Sequence, residues 1–192
     1  RDAQESRGLG DVYKRQIERD SFYEISKRWI HSILYTTRPD EVISLFSDTT
    51  EMRSAHEALF NSEKMLRNIF DNVQVGVELY DKEGRLVDIN TKDLDIFGIE
   101  AKEDVLGVNF FENPIVPGEI ARNVRNGLEQ SFRLDYPFDR LGGYYPSRKK
   151  GSVQIYTKVT MLYGMSGELV NFLVLNIDTV SYTHLRAHET PE

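Results

Sequence analysis

The chain of 192 residues contains no cysteine and a single tryptophan. Without cysteine it can form neither disulfide bonds nor metal sites built on thiolates, and we expect no metal site. No stretch reaches the roughly 18 consecutive apolar residues of a membrane-spanning helix, so we expect no membrane span in this part of the protein. The net charge of −7 also lacks the basic excess that a nucleic-acid-binding face requires, so no nucleic-acid partner is expected.

The residues that are present suffice for a packed core, with 40% hydrophobic and 11% aromatic side chains. The length allows one domain plus part of another. Residues 1–16 and 180–192 are polar and have neither helical nor strand periodicity. Both ends resemble translated sequencing-adaptor read-through, as in a metagenomic fragment, and we treat them as non-native tails outside the fold. The alternative is a natural disordered terminus.

Two parts of the chain share one pattern of strand, turn, strand and a closing Asp-Thr pair. The two closing aspartates are Asp48 and Asp178. The first copy has its strands at residues 29–35 and 41–46, and the second at residues 152–163 and 169–177. This repetition predicts two copies of one domain, the first of them truncated. Residues 17–48 are then the C-terminal hairpin of an upstream domain, and residues 71–179 form the second domain.

Residues 49–70 between the two copies predict a linker helix. Asp48, with Glu51 three residues later, is typical of a helix N-terminus with a capping box. Apolar residues then recur at alternating spacings of three and four, which is the pattern of a coiled-coil seam with one serine at position 62. The seam predicts a homodimer through Met52, Ala55, Leu59, Leu66 and Ile69. An amphipathic helix that packs on its own domain would give a similar pattern, and both interpretations stay open.

Residues 71–179 alternate between strand and helix signals in the order β-β-α-α-α-β-β-β. Asn90 is placed to cap a short helix over residues 91–97, and Gly98 ends that helix. Residues 132–138 alternate between apolar and polar side chains, as in a half-buried strand. This order predicts an α+β domain with its helices on one face of an antiparallel sheet.

Several short motifs in this order resemble the PAS domain family. They are Ser62-Glu63 through Ile69-Phe70, the Asp81-x-x-Gly84 turn, Asn90 before a helix, Leu106-Gly107, Gly167 and Asp178-Thr179. Residues 48–51 also resemble the Asp-Ile-Thr-Glu junction between consecutive PAS domains of bacterial sensor histidine kinases, with threonine in place of isoleucine. The resemblance implies the PAS fold, a five-stranded antiparallel sheet with helices on one face around a small cavity, preceded by a long linker helix.

The resemblance also bears on cofactors and on a ligand pocket. Light-sensing flavin PAS domains form their adduct through a cysteine, which this chain lacks, so a covalent flavin adduct is excluded. Haem-binding relatives use a histidine on the helix that matches residues 117–127, where none stands, and this argues against haem. Binding of a noncovalent ligand, or of no ligand at all, stays open.

The pocket candidates are Tyr136, Thr157, Met161 and Asn176, where Asn176 matches a position at which a glutamine contacts flavin in relatives. The alternative is a filled core in which backbone or water satisfies Asn176.

The function that the resemblance implies is a sensory or signal-relay PAS module of a bacterial signal-transduction protein, namely a two-component sensor histidine kinase. Asp48 and Asp178 are then signal-coupling residues at the ends of the two copies. We expect no enzymatic activity, since the fragment lacks a kinase phosphoacceptor motif and an ATP-binding segment, and we expect a cytoplasmic location within a parent that can be membrane-anchored. The expected partners are a second copy and a small-molecule ligand. The alternatives are a ligand-free dimerisation spacer and the PAS region of a diguanylate cyclase or transcription regulator.

Overall fold

A computed structural model describes residues 16–38 and 40–179 of the chain. The chain divides into two compact units, with the boundary between Met65 and Leu66. The adaptor-like tails lie outside the described residues except for Gln16, which belongs to a strand. None of the helices within the described ranges is both long and apolar enough to cross a membrane.

The first unit contains a three-stranded antiparallel sheet in the order β1-β2-β3. Its strands are β1 (Gln16–Tyr23), β2 (Arg28–Arg38) and β3 (Glu41–Asp48). The hairpin of β2 and β3 is the one that the sequence predicts. Strand β1 was not predicted, because its polar and charged residues give only a weak strand signal. It nevertheless pairs with β2 along its whole length, from Gln16 opposite Tyr35 to Tyr23 opposite Arg28.

Helix α1 (Thr50–Asn72) follows β3 and extends two residues beyond the predicted linker. The carboxylate of Asp48 accepts hydrogen bonds from the backbone N–H and the hydroxyl of Thr50, at 3.0 and 2.6 Å. The N–H of Arg53 donates to the carbonyl of Thr49, so the helix begins one residue later than a capping box at Asp48 requires. Four of the seam side chains are 54–68% exposed in the single chain, namely Met52, Leu59, Leu66 and Ile69, and Ala55 is exposed as well.

The second unit contains a five-stranded antiparallel sheet in the order β5-β4-β8-β7-β6. Its strands are β4 (Gly76–Asp81), β5 (Leu86–Ile89), β6 (Gln130–Pro137), β7 (Ser152–Tyr163) and β8 (Leu169–Asp178). The helices are α2 (Thr91–Phe97) and α3 (Gly118–Arg125), with short 3₁₀ turns at Lys102–Asp104, Phe110–Glu112 and Phe138–Arg140. Asn90 caps α2, and Gly98 ends it in a left-handed conformation, as the sequence predicts.

The core of the second unit lies on one face of this sheet. Along β8, Phe172 and Val174 are buried while Leu173 and Leu175 on the opposite face are half-buried, which is the two-residue period of a strand. Apolar side chains from α2, α3 and the 3₁₀ turns join the same cluster. Burying each large apolar side chain contributes about 1.5–3 kcal/mol, so this one-sided core holds the helices on the sheet. The α+β prediction is confirmed.

Candidate functional site

The core of the second unit contains a cavity of about 40 Å³. Its wall is mostly aromatic and aliphatic, and three of the four predicted pocket residues line it: Tyr136, Thr157 and Asn176. Met161 is buried in the core but is not among the residues that line the cavity. Since a cavity needs roughly 10–15 Å³ for one water molecule, this one has room for about three.

The side chain of Asn176 is satisfied by protein groups. Thr157 and Asn176 are opposite one another on β7 and β8, and the Thr157 hydroxyl donates to Asn176 Oδ1 at 2.8 Å. Asn176 Nδ2 donates to Asp93 Oδ1 at 3.1 Å. The inward orientation of Asn176 is therefore as predicted. Its partners are side chains, however, and neither a ligand nor the backbone is needed to satisfy it.

Two acidic residues that the sequence interpretation did not include lie beside this pair. Asp93 is fully buried in the first turn of α2, and Glu78 on β4 lines the cavity. Their carboxyl groups are neighbours, and burial raises the pKa of both, with the neighbouring Glu78 charge raising the pKa of Asp93 further. Gly76 permits this approach, because a Cβ there would lie 1.9 Å from Asp93 Oδ1. An acidic residue in the first turn of a helix usually interacts favourably with the helix dipole, so its position did not indicate that Asp93 would be buried beside a second carboxyl group.

Tyrosine hydroxyls and the amide of Asn113 supply the other polar groups of the wall. The Tyr136 hydroxyl accepts a hydrogen bond from Tyr145 at 3.0 Å and one from Asn113 Nδ2 at 3.4 Å. Tyr144 donates to the carbonyl of Asn109 at 2.6 Å. Burial raises the pKa of Tyr136 to about 12 and also raises the pKa of Tyr145, so these hydroxyls stay protonated at neutral pH. Tyr144 and Tyr145 come from a glycine-bearing, largely polar stretch between strands, which gave no sequence signal for a cavity wall.

Asn90 connects the first turn of α2 with the end of the linker helix. Its Oδ1 accepts from the N–H groups of Val77 and Asp93, both at 2.9 Å. Its Nδ2 donates to the carbonyls of Phe70 and Val75, at 2.8 and 2.9 Å. The carbonyl of Phe70 lies in the last turn of α1, where helix carbonyls lack partners within the helix. Asn90 is thus a cap, as predicted, and also a tie to the linker helix, which was not predicted.

An ion pair holds the same end of α1. Arg67 Nη1 lies 2.6 Å from Asp88 Oδ2, and Lys102 Nζ lies 3.5 Å from Asp88 Oδ1. Partial burial opposes ionisation of Asp88 most strongly, but the hydrogen bonds from Arg67 and from the N–H of Ile89, together with the charges of Arg67 and Lys102, outweigh it and hold the pKa of Asp88 below its usual range. The last turns of α1, which belong to the second unit, are therefore held at two points, Asp88 and Asn90.

The two predicted coupling residues lie at the ends of strands. Asp48 forms an ion pair with Arg28 at 2.8 Å, and hydrogen bonds from Thr50 lower the pKa of Asp48. Asp178 ends β8 opposite Ile155. Both positions suit a junction between a sheet and a following segment, and the coupling role of both residues stays a prediction.

The cavity does not fit the large cofactors that the PAS resemblance raises. Pockets for drug-sized ligands measure roughly 300–1,000 Å³, several times the 40 Å³ found here. A flavin or a haem would require the aromatic wall to move apart. The arrangement suits a ligand of a few heavy atoms.

Solved structures of PAS domains are similar to this chain. The PAS domain of an HTR-like protein from Haloarcula marismortui aligns with a TM-score of 0.51 and 15% identity, over 66% of this chain and 98% of that one. The PAS domain of BvgS from Bordetella pertussis gives a TM-score of 0.47 and 22% identity, over 70% and 99% of the two chains. A PAS domain from a two-component sensor histidine kinase gives 0.45 and 12%, over 62% and 96%. No protein-family model and no curated protein matches the sequence. Together with the five-stranded sheet, the first of these likenesses shows that the chain contains the PAS fold.

Proposed function

We propose that the chain is a signal-relay module of a bacterial signal-transduction protein, in which changes at the cavity reach the linker helix. The parent that we propose is a two-component sensor histidine kinase located in the cytoplasm or anchored to the membrane from elsewhere in its sequence. The module itself has no enzymatic activity in this proposal. It relays its signal as a homodimer through the seam of α1.

One continuous set of hydrogen bonds carries the proposal. It runs from Thr157 to Asn176, from Asn176 to Asp93, and from the backbone of Asp93 to Asn90. Asn90 then donates to the carbonyl of Phe70 in the last turn of α1. A change in the cavity wall that shifts Asp93 would also shift the partner of the helix end, because buried polar groups that lose their bonds are costly.

A ligand-free dimerisation spacer is the second candidate function. The observation that favours it is the size of the cavity, about 40 Å³, together with the protein groups that already satisfy Asn176. In a spacer the same hydrogen bonds would only stabilise the fold. The two functions differ in whether a change at Thr157 alters α1.

Hydrogen exchange of the full chain tests this difference. In the relay, Thr157→Val removes the hydroxyl that positions Asn176, and the amides of residues 66–72 should exchange several-fold faster at temperatures far below unfolding. Thr160→Val is the matched control, because Thr160 lies on β7 facing away from the buried side. Combining Thr157→Val with Asn90→Ala should add little to Asn90→Ala alone, since residues in one network are non-additive by 0.5–3 kcal/mol.

Equal exchange at residues 66–72 in the Thr157 and Thr160 variants would contradict the relay and favour the spacer. Global unfolding is measured in parallel by urea denaturation. A faster exchange that spreads evenly over the whole second unit would reflect lost stability alone, and it would also count against the relay.

A further inference from the structure

The wall of the cavity contains a carboxylic acid side chain and no basic side chain. Among the described residues that line the cavity, Glu78 is the single carboxylic acid, and none is lysine, arginine or histidine. Seven aromatic side chains surround the same space: Tyr80, Phe97, Phe110, Phe132, Tyr136, Tyr144 and Tyr145. The hydroxyl of Tyr80 donates to Glu78 Oε2 at 3.1 Å. An apolar cavity with a carboxyl group and aromatic faces attracts positive charge.

The carboxyl group of Asp93, next to Glu78, increases the need for positive charge at this site. Asp93 is fully buried, and within the described residues its Oδ2 has no hydrogen-bond donor. Its neighbour Glu78 can donate a hydrogen bond only while it holds a proton. Two adjacent carboxylates with no cation are very costly to bury, so the pair must hold either a proton or a positively charged group.

The cavity limits which cation could serve. Divalent metal ions prefer about six oxygen ligands or a cluster of nitrogen and sulfur donors, and the described residues hold no group of three or more histidine, cysteine, aspartate or glutamate side chains that could bind one. The volume of about 40 Å³ admits only a few heavy atoms. A primary ammonium group on a short alkyl chain meets both limits, because its N–H groups suit the carboxyl pair and its alkyl part suits the aromatic wall.

We infer that the cavity binds a small primary alkylammonium ion, with the ammonium group on the carboxyl group of Glu78 and the alkyl chain against the tyrosines and phenylalanines. This inference rests on the proposed function, since it names the class of ligand for the same cavity. The positive charge of the ammonium group takes the place of the proton that the two neighbouring carboxyl groups otherwise hold. Binding therefore releases one proton to the solvent, and no covalent bond forms or breaks.

Isothermal titration calorimetry of the full chain with propylammonium chloride tests the inference. A ligand of about four heavy atoms should bind with a Kd of roughly 0.1–10 mM. 1-Propanol, which has nearly the same shape and no charge, should bind at least tenfold more weakly. The binding heat should depend on the ionisation enthalpy of the buffer, and the affinity should rise with pH, because protons compete for the same carboxyl pair.

Two variants complete the test. Glu78→Gln should weaken propylammonium binding at least tenfold, whereas Asp88→Asn, which changes a carboxyl outside the cavity, should leave it unchanged. If Glu78→Gln does not melt cooperatively, two measurements on the unaltered chain test the inference instead: the comparison of propylammonium with 1-propanol, and the pH dependence of the affinity.

Three outcomes would each overturn the inference. They are equal binding of both probes, no binding of propylammonium at concentrations up to 50-fold above the expected Kd range, and an affinity for propylammonium that does not change with pH. The hydrogen-exchange test of the relay uses no ligand. If residues 66–72 respond to Thr157→Val as expected but propylammonium does not bind, only the proposed ligand class is wrong.

Discussion

At the scale of single residues, Asp93 joins most of the buried polar groups of the second unit. Its backbone N–H donates to Asn90, its Oδ1 accepts from Asn176, and its carboxyl group lies beside that of Glu78. These partners come from different elements, and Asp93 and Asn176 are 83 residues apart. A buried acid without a cation is stable only in its protonated form, so the stability of the fold must depend on pH.

The sign of this dependence follows from the direction of the pKa shift. In the unfolded chain Asp93 titrates near its ordinary pKa of 3.8, and in the folded chain burial raises its pKa well above that value. Between the two values the folded state binds a proton that the unfolded state does not. The stabilising contribution is therefore complete below pH 3.8 and is lost as the pH rises through the folded-state pKa.

Asp93→Asn should remove this dependence. The amide keeps an oxygen for Asn176 and gains an N–H for Glu78, so the variant should melt at a higher temperature than the unaltered chain at pH 8, and the difference should shrink toward pH 4. Asp88→Asn is a control of opposite sign: its pKa is lowered, so its contribution is present at neutral pH and lost on acidification. Thermal unfolding followed by circular dichroism from pH 4 to 8 measures both. An Asp93→Asn curve parallel to that of the unaltered chain would show that the pair shares no proton.

At the scale of elements, the short helices and strands of the second unit follow local signals. Helix α2 begins and ends where Asn90 and Gly98 predict, since a side-chain cap and a left-handed glycine act on the nearest backbone groups. Strand β1 and the 3₁₀ turn at Phe110–Glu112 were not predicted, because strand pairing and packing stabilise them more than their own residues do. The same limit explains why Tyr144 and Tyr145 were missed as parts of the cavity wall.

The turn between β4 and β5 offers a test of local backbone requirements. Gly84 has a φ of +85°, and a Cβ there would lie 2.4 Å from the ring of Phe111. Gly127 has a similar φ of +75° with no atom within 4 Å of a built Cβ. Gly127→Ala should therefore cost about 1 kcal/mol from the left-handed backbone alone. Gly84→Ala should cost about 3 kcal/mol, because the ring must also move.

Urea denaturation of the full chain measures both glycine variants. The difference of about 2 kcal/mol isolates the contact with Phe111 from the backbone term. Equal losses at the two positions would mean that Phe111 rearranges without cost and that the turn does not depend on this contact.

At the scale of the whole molecule, the order of elements could be predicted and the site largely could not. The α+β layout follows from periodicity, which each segment carries in its own sequence. Tyr136, Thr157 and Asn176 could be placed on the buried face for the same reason. The pair of carboxyl groups could not be predicted, because in the sequence Glu78 has the pattern of an ordinary strand residue and Asp93 that of an ordinary residue at a helix start. Only the folded chain brings the two together, and the missing side chain of Gly76 leaves the room that Asp93 needs.

Dimerisation is the property of the whole molecule that the linker helix predicts. The seam of α1 is exposed in the single chain, with Leu59 59% and Leu66 64% accessible. Because it covers fewer than three heptads, the paired helices should form a reversible dimer whose population depends on concentration.

Sedimentation velocity of the full chain over a hundredfold range of concentration tests the seam. The double substitution Leu59→Glu and Leu66→Glu places like charges in the seam, and it should shift the chain to a monomer at every concentration. Lys64→Glu, which adds the same kind of charge off the seam, should leave the dimer in place. A dimer that survives the double substitution would assign association to another surface, and the half-buried outer face of β8 at Leu173 and Leu175 would then be the one to change next. If the unaltered chain is a monomer at all concentrations, the seam does not pair with the seam of a second copy. The proposed relay would then have to act within one chain.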